Sequence, residues 1–408
     1  MRRLTLSERR PEPGVSLSAE ERHALARIAP SRLTIVPSEA REGCYDITPS
    51  SWVGAINLGT LAIEIRPKLP ISRVLFLLSY AVDPRRWEET GFDFGEEQSL
   101  LEAIVPGFAA QVRRALHRGT LRGYRSEEAA LPTVRGRLRF DDQIRDHFGL
   151  LPPAEVRYDE FTDDIEENRL IKAALDRLGR MVIRSEAARR LLRTFDVLLG
   201  MVALVQYNPQ QLPDIVYTRL NEHYRPAVEL AKLVLRNTSF ELRHGRVRAS
   251  AFLVDMNRVF EDFVVTALRD ALRLPESTFP QGGKGKRLRL DQAGSVRLRP
   301  DLSWWDGSIC TFVGDVKYKQ TDAEDVEHPD LYQLLAYTIG TDLPGGMLVY
   351  AAGEAEPVTH RVVHLGKVLQ VEALDLQGSP DDILRQVGEV AERVRRLRRL
   401  ALTDRVAA

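Results

Sequence analysis

The chain has 408 residues, of which 44% are hydrophobic and 28% are charged. This length predicts two or three domains, and the composition indicates a folded protein rather than a disordered one. Lysine plus arginine equals aspartate plus glutamate at 58 each, so the net charge is zero. The balance argues mildly against a nucleic-acid-binding protein, although phosphate contacts depend on local patches rather than on total charge.

Cysteines and apolar runs exclude further classes of protein. Cys44 and Cys310 are the only cysteines, which excludes a disulfide scaffold, a four-cysteine zinc site and a cysteine-ligated iron–sulfur cluster. No uncharged apolar run reaches the about 18 residues that a membrane span needs. The basic start of the chain lacks the apolar stretch of a secretory signal. We therefore expect a cytoplasmic protein without membrane contact.

The patterns along the chain predict an α+β multidomain protein. Residues 1–97 are predicted to form a β-rich N-terminal domain, with a strand near residues 32–36, a hairpin turning at Gly59-Thr60 and a helix over residues 71–80. Residues 98–238 are predicted to form a mainly helical middle region. Its predicted helices span residues 99–118, 168–183, 185–205 and 225–235, and residues 134–140 resemble a strand.

Residues 239–408 are predicted to form an α/β domain with a mixed central sheet. An Asp306-Gly307 pair, typical of hairpin turns, separates two strands of this domain. The predicted helices span residues 255–272, 330–339 and 381–400, and the predicted strands span residues 287–290, 296–299, 302–305, 309–318 and 346–351.

The most informative cluster is Arg299-Pro300-Asp301 followed by Asp315-Val316-Lys317. Asp315 and Lys317 are two apart, so on a strand they point to the same face. Two carboxylates and an ammonium group suit hydrolysis of a phosphodiester, with Asp301 and Asp315 holding Mg²⁺ or Mn²⁺ and Lys317 orienting water. An acid two residues before a lysine usually marks a solvated strand face, but the preceding Pro-Asp and the apolar residues 310–314 favour a site.

The hairpin register predicts a β-bulge. A two-residue Asp306-Gly307 turn would place Asp301 opposite Phe312, which leaves Asp315 on the wrong face of the sheet. One extra residue restores the facing, and Gly307 or Gly314 could supply it.

Three nearby residues are candidate accessory members of the site. Glu261, on a predicted helix, could provide a third carboxylate ligand, although a single helix glutamate is more often exposed. Gln333 and Tyr337 are four apart and share one helix face, which fits either a site or an ordinary amphipathic helix.

Two basic clusters are candidate phosphate contacts. Lys284, Lys286, Arg287 and Arg289 lie in and after a glycine-rich loop, close to Arg297 and Arg299, and we favour DNA binding for this loop cluster. Tyr337 is a further candidate DNA contact. The arginines at residues 393–399 end a predicted helix, where the helix dipole alone favours positive charge.

The chain resembles the McrC family, the nuclease subunits of McrBC modification-dependent restriction systems that act on 5-methylcytosine DNA. The resemblance covers nearly the whole length. It is carried by short motifs in a specific order: Val53–Ile56, Ile65–Ile71, Arg135–Leu138, Glu166–Leu170, Asn221–Pro226, Val259–Glu261, Arg299–Asp301, Asp315–Lys317 and Asp330–Gln333 with Tyr337.

The resemblance implies a fold, a site and a partner. It implies a PD-(D/E)xK restriction-endonuclease-like domain with Asp301, Asp315 and Lys317 at the catalytic positions, and Glu261 and Gln333 as accessory members. It also implies docking of the N-terminal part on a McrB-like hexameric AAA+ GTPase, which is stimulated and which recognises modified double-stranded DNA. One departure is Asp315, where many such nucleases have the longer glutamate.

Two other functions stay open. A stand-alone RecB-like repair nuclease would degrade DNA with Mg²⁺ alone, because a Gln-x-x-x-Tyr helix also occurs in that group. A non-catalytic adaptor would activate a partner NTPase and keep the nuclease fold as a scaffold. The sequence does not distinguish GTP from ATP as the partner's nucleotide.

Overall fold

A computed structural model of the chain describes residues 1–84, 99–243, 246–283, 287–319, 328–351 and 358–407. Two compact units are formed. The first contains residues 1–55, 61–100 and 253–408, and the second contains residues 56–60 and 101–252. None of the helices in the described ranges combines the length and the apolar character needed to cross a membrane.

The N-terminal elements are mostly strands, as predicted. Strand β1 runs parallel to β6, with Leu4 opposite Ile63, and β5 lies next to β6, while β2, β4 and β3 form a separate sheet in that order. The predicted strand, hairpin strands and helix are confirmed. The elements are β1 (Arg2–Ser7), β2 (Glu12–Val15), α1 (Ala19–Ile28), β3 (Leu33–Pro37), β4 (Tyr45–Pro49), β5 (Trp52–Asn57), β6 (Leu61–Arg66) and α2 (Ile71–Val82).

The second unit contains the four predicted helices, but also a sheet that the prediction missed. Its elements are α3 (Leu100–Ala115), β7 (Gly123–Leu131), β8 (Arg137–Leu138), α4 (Phe140–His147), β9 (Ala154–Thr162), α5 (Glu166–Gly179), α6 (Glu186–Leu198), α7 (Arg225–Asn237), β10 (Thr238–Arg243) and β11 (Arg246–Asp255). Leu100 and the last three residues of β11 belong to the first unit.

The missed sheet pairs β7 and β9 over nine residues each, with β8 on the other side of β9. The prediction of a mainly helical region failed here because these strands are rich in charged residues and are exposed or half-buried along most of their length. They therefore lack the alternation of apolar and polar residues by which strands are recognised. The strand predicted over residues 134–140 is reduced to two residues, since Gly136 adopts a φ of +75°.

The C-terminal elements form a mixed central sheet, as predicted. Its order is β14-β15-β16-β18-β17; β15, β16 and β18 are parallel, and the two edge pairs are antiparallel. The elements are α8 (Met256–Leu272), β12 (Leu288–Arg289), β13 (Arg297–Leu298), β14 (Leu302–Asp306), β15 (Ile309–Lys317), α9 (His328–Gly340), β16 (Gly345–Ala351), β17 (Val358–Arg361), β18 (Val368–Leu374) and α10 (Pro380–Ala407).

Helix α9 packs directly on β15 and β16. A close approach is required, because a Cβ atom added at Gly346 would lie 2.8 Å from Leu334 Cδ1 and 3.1 Å from Thr338 Cγ2. Strand β16 is buried along its whole length, as expected for a parallel strand in the interior of a mixed sheet. This packing brings the side chains of α9 next to the end of β15.

Candidate active site

Asp301 is placed opposite Asp315 by the register of the β14–β15 hairpin. Leu302 pairs with Gly314 and Trp304 pairs with Phe312, so one further step along both strands sets Asp301 against Asp315. Residues directly opposite each other on antiparallel strands have Cβ atoms about 5 Å apart. The hairpin therefore brings the two predicted carboxylates together.

The predicted bulge is confirmed, but its position is not the expected one. The register shifts between Trp304, which pairs with Phe312, and Trp305, which pairs with Cys310. Thr311 is therefore the extra residue of the bulge. The turn also differs: Asp306 pairs with Ile309, which makes Gly307-Ser308 the two-residue turn instead of Asp306-Gly307. Both differences together move the partner of Asp301 from Phe312 to Asp315.

The Asp301 carboxylate reaches across to the neighbouring strand. Its Oδ2 atom accepts a hydrogen bond of 3.0 Å from the backbone N–H of Val316. The main-chain carbonyl of Asp301 accepts a second bond, of 3.3 Å, from the N–H of Gly282. Both bonds fix the residue at the mouth of the hairpin, so its side chain has little freedom to turn away from Asp315, which is only 1% exposed.

The two carboxyl groups perturb each other strongly. Burial, then Asp315, then Glu261 raise the pKa of Asp301 to about 8. Burial also raises the pKa of Asp315, although Lys317 acts in the opposite direction. Two buried carboxyl groups this close cannot both ionise cheaply, so they share a proton when nothing else compensates their charge. A bound cation would remove the cost of ionising both groups.

Lys317 is held on the same face as Asp315, as the strand spacing predicted. Its Nζ lies 2.7 Å from Asp315 Oδ2 and donates a 3.1 Å hydrogen bond to Gln333 Oε1. Burial lowers the pKa of this ammonium group, but Asp315, Asp330 and Asp301 outweigh that effect and the pKa is raised. Lys317 therefore stays charged at neutral pH.

Gln333 and Tyr337 form a short hydrogen-bond chain on α9. Gln333 Nε2 donates to Tyr337 Oη at 2.7 Å, and Tyr337 Oη donates to the carbonyl of Arg299 at 3.0 Å. The tyrosine is only 4% exposed, and burial, followed by Asp315, raises its pKa. The chain of bonds ties the helix to the segment that leads into Asp301.

Asp330 is a member of the cluster that sequence reasoning did not assign a role. It is 6% exposed, its Oδ1 lies 3.8 Å from Lys317 Nζ, and its Oδ2 accepts a 2.8 Å bond from Tyr350 Oη. Tyr350 stands opposite Lys317 in the parallel β15–β16 pair. Asp330 is part of the Asp330–Gln333 motif, but only the pairing of β15 with β16 reveals its contact with Lys317.

Glu261 lies on α8 within electrostatic reach of the pair. Burial raises its pKa, and the neighbouring Asp262 and then Asp315 add to this. In the described ranges, however, no three aspartate, glutamate, histidine or cysteine side chains converge as a metal-binding group. Asp301 and Asp315 are thus the pair that the geometry brings together, and a ligand role for Glu261 stays a prediction.

The chemistry of this pair fits a hard divalent cation. Mg²⁺ prefers oxygen ligands, needs only one or two carboxylates from the protein and keeps several waters. Asp301 and Asp315 supply two such carboxylates, and when both are ionised they carry more negative charge than Lys317 neutralises. Mn²⁺ accepts the same ligands.

Four arginines line a depression beside the site. The depression has a volume of about 260 Å³ and is lined by Arg287, Leu288, Arg289, Arg297, Leu298 and Arg299. Two of the predicted DNA-contacting residues, Arg287 and Arg289, are therefore in this depression. The other two loop residues, Lys284 and Lys286, lie outside the described residues. Tyr337, the remaining predicted DNA contact, is buried and is engaged in the hydrogen-bond chain with Gln333 and Arg299.

The arginines of α10 are engaged in structural contacts. Arg393 pairs with the buried Glu372, Arg395 pairs with Glu392, and Arg398 lies 2.6 Å from Asp306 Oδ2. These pairs support the structural interpretation of the basic helix end.

Fold and site together define an α+β protein with a facing pair of carboxylates and a partner lysine on a mixed sheet. The family model described as "McrBC 5-methylcytosine restriction system component" matches residues 47–351. The chain belongs to this family.

Solved structures show a similar fold. A chain from the assembly of Thermococcus gammatolerans McrB AAA+ hexamers with bound McrC aligns with 95% of this chain and 100% of its own length, at 18% identity and a TM-score of 0.53. A chain of the T. gammatolerans McrBC complex aligns with 66% of this chain and 88% of its own length, at 19% identity. Its TM-score of 0.39 is too low to support an argument. A comparison with curated proteins gave no match.

Proposed function

We propose that this chain is the Mg²⁺-dependent DNA endonuclease subunit of a modification-dependent restriction complex, with a C-terminal domain of the PD-(D/E)xK type. The observation that carries the proposal is the facing of Asp301 and Asp315 across the bulged hairpin, with Lys317 Nζ 2.7 Å from Asp315 Oδ2. Family membership supports the restriction context.

The residues of the site divide the work of phosphodiester hydrolysis. Asp301 and Asp315 would hold the cation, which stabilises charge on the scissile phosphate and lowers the pKa of the attacking water. Lys317 is charged and is held in place by Asp315 and Gln333, so it is suited to orient that water or to neutralise charge that develops on the phosphate. Tyr337 and Gln333 act as positioning residues through the bonds that join α9 to Arg299.

We further propose a McrB-like AAA+ GTPase hexamer as the partner. The support is the family description and the full-length fold similarity to a chain from an McrB assembly with bound McrC. The β-rich residues 1–97 would contact and stimulate the motor. The net charge of zero is consistent with a motor that supplies most of the affinity for double-stranded, 5-methylcytosine-containing DNA in the cytoplasm.

The test is cleavage of methylated and unmethylated plasmid by the complex of this chain with its motor, with Mg²⁺ and GTP. The Asp315→Ala variant should lose at least 100-fold in cutting and keep the stimulation of GTP hydrolysis. Asp381→Ala, which removes an exposed carboxylate at the start of α10, is the control and should cut normally.

Three other outcomes would contradict the proposal. Degradation by the isolated chain with Mg²⁺ alone would indicate a stand-alone nuclease. Unchanged activities in Asp315→Ala would indicate a non-catalytic adaptor. Equal cutting of both plasmids would exclude modification dependence.

A further inference from the structure

We propose that residues 287–299, here called the arginine hairpin, clamp the phosphate backbone of the DNA strand next to the cleavage site. The inference rests on the proposed nuclease function and adds a binding mode and two residues, Arg297 and Arg299. The ligand class is the sequence-independent phosphodiester backbone, not the base edges.

The hairpin presents its arginines on one side and leucines on the other. Strands β12 and β13 are antiparallel, with Arg289 opposite Arg297 and Leu288 opposite Leu298. Leu298 is buried in the cluster that also contains Tyr337 and Val313, and Leu288 packs against it. Successive residues of a strand point to opposite faces, so the arginines are directed away from this apolar anchor.

The turn of the hairpin is held by its own acidic residue. Asp291 accepts hydrogen bonds from Ser295 Oγ at 2.6 Å, from Ser295 N at 3.1 Å and from Val296 N at 2.7 Å. These bonds, the one from Ser295 Oγ first, lower the pKa of Asp291 to about 2. Its carboxylate is therefore occupied in the turn, and the hairpin keeps a defined shape.

The guanidinium groups lack compensating charge. Within the described ranges, none of the four arginines forms an ion pair, in contrast to Arg393, Arg395 and Arg398 on α10. Like charges directly opposite each other on paired strands are destabilising. An anion with several charges at regular spacing would relieve this repulsion, and guanidinium groups bind phosphate oxygens in a bidentate manner.

The hairpin leads directly into the metal-binding pair. Arg299 is two residues before Asp301, and its carbonyl accepts the bond from Tyr337 Oη. At about 3.3 Å per residue, Arg299 and Arg297 are at most ~7 and ~13 Å from Asp301 along the chain. Phosphates of one strand are ~3.4 Å apart along the duplex axis. The arginines thus suit phosphates a few nucleotides from the one that is cut.

The arginine hairpin packs closely against helix α9. A Cβ atom at Gly340 would lie 2.9 Å from the carbonyl oxygen of Arg289 and would collide with Leu298 Cδ1. The same helix carries Gln333, which binds Lys317. One rigid element therefore fixes both the clamp and the lysine, and the position of the bound backbone relative to Asp301 and Asp315 is set by the fold.

The experiment measures binding of the full chain to a fluorescein-labelled duplex by anisotropy, in EDTA and over a series of salt concentrations. The Arg289→Gln/Arg297→Gln variant should reduce the slope of log K against log salt by about 1.8, since each phosphate contact contributes about 0.9. Methylated and unmethylated duplexes should be affected alike. Arg396→Gln/Arg399→Gln, which removes two exposed arginines of α10, should leave the slope unchanged.

The clamp is refuted if the hairpin variant keeps the wild-type slope, if both variants lower it equally, or if the wild-type chain binds no duplex at the lowest salt. The result is separable from the nuclease proposal. An unchanged slope together with loss of cutting in Asp315→Ala removes the clamp and keeps the nuclease, whereas normal cutting by Asp315→Ala removes the nuclease whatever the slope.

Discussion

Tyr318, the residue after Lys317, donates a 3.4 Å hydrogen bond from its hydroxyl to Oε2 of Glu8. Glu8 is fully buried and also accepts a 3.2 Å bond from the N–H of Lys68. Its Oε1 is buried without a hydrogen-bond partner among the described residues, and burial raises its pKa. The residue that follows β1 thus supports the end of the strand that carries the candidate site.

Tyr318→Phe should destabilise the protein by about 1 kcal/mol, because a hydrogen bond to a buried carboxyl group is lost while the ring packing is kept. Urea denaturation measures this. Tyr332→Phe is the control, since the Tyr332 ring is 66% exposed and should give no change. A Tyr318 variant as stable as the wild type would show that the Glu8 contact does not support the strand.

The raised pKa of Asp301 predicts a pH-dependent stability in the absence of metal. The folded protein keeps a proton up to about pH 8 that the unfolded chain loses near pH 4, so this contribution to stability falls as pH rises from about 4 to about 8. Asp301→Asn should remove the fall. The difference in melting temperature between wild type and variant in EDTA, measured from pH 5 to 9, tests this.

Mg²⁺ should reverse the trend, because it replaces the shared proton. Its stabilising effect on the wild type should be larger at pH 8 than at pH 6 and absent in Asp301→Asn. A metal effect of the same size in both proteins would place the cation elsewhere.

Arg393→Ala should destabilise the protein by ~3–5 kcal/mol, because it leaves the carboxylate of Glu372 buried without its partner. Glu372 is 3% exposed and pairs with Arg393 across β18 and α10. The exposed Arg399→Ala should cost less than ~0.5 kcal/mol. Adding Glu372→Gln to Arg393→Ala should restore part of the loss in urea denaturation, and a failure to do so would locate the cost in packing rather than in charge.

Gly340→Ala should weaken DNA binding and cutting, because the added Cβ atom meets Leu298 and the carbonyl of Arg289 and displaces the arginine hairpin. A stability loss of ~1–3 kcal/mol is expected for such overpacking. Gly388→Ala is the matched control in α10, since nothing lies within 4 Å of its added Cβ atom, and it should stabilise by ~0.5–1 kcal/mol. Normal DNA binding by Gly340→Ala would show that the close packing of the hairpin on α9 is not required for DNA binding.

Local patterns were sufficient to predict the hairpin, the shared sheet face of Asp301 and Asp315 and the need for a bulge. Alternation along strands is a local property, and the parity of side chains follows from it. The position of the bulge at Thr311 was not predictable, because the turn also lies one residue further along the chain than expected, and both changes alter the register.

Contacts between distant segments could also not be predicted from the sequence. The bond of Tyr350 to Asp330 depends on β16 lying parallel to β15, and the bond of Tyr318 to Glu8 joins residues 310 positions apart. Nothing in the local composition specifies which distant strand becomes a neighbour. The β7–β9 pair was missed for a local reason. Its strands bury too little apolar surface to give the alternating pattern by which strands are recognised.

The most direct test of the candidate metal centre is anomalous diffraction from crystals of the protein soaked with Mn²⁺. We expect a peak between the carboxylates of Asp301 and Asp315 that disappears in Asp315→Ala. A peak that persists in this variant, or its absence from the wild type at millimolar Mn²⁺, would contradict the assignment of these two residues as metal ligands.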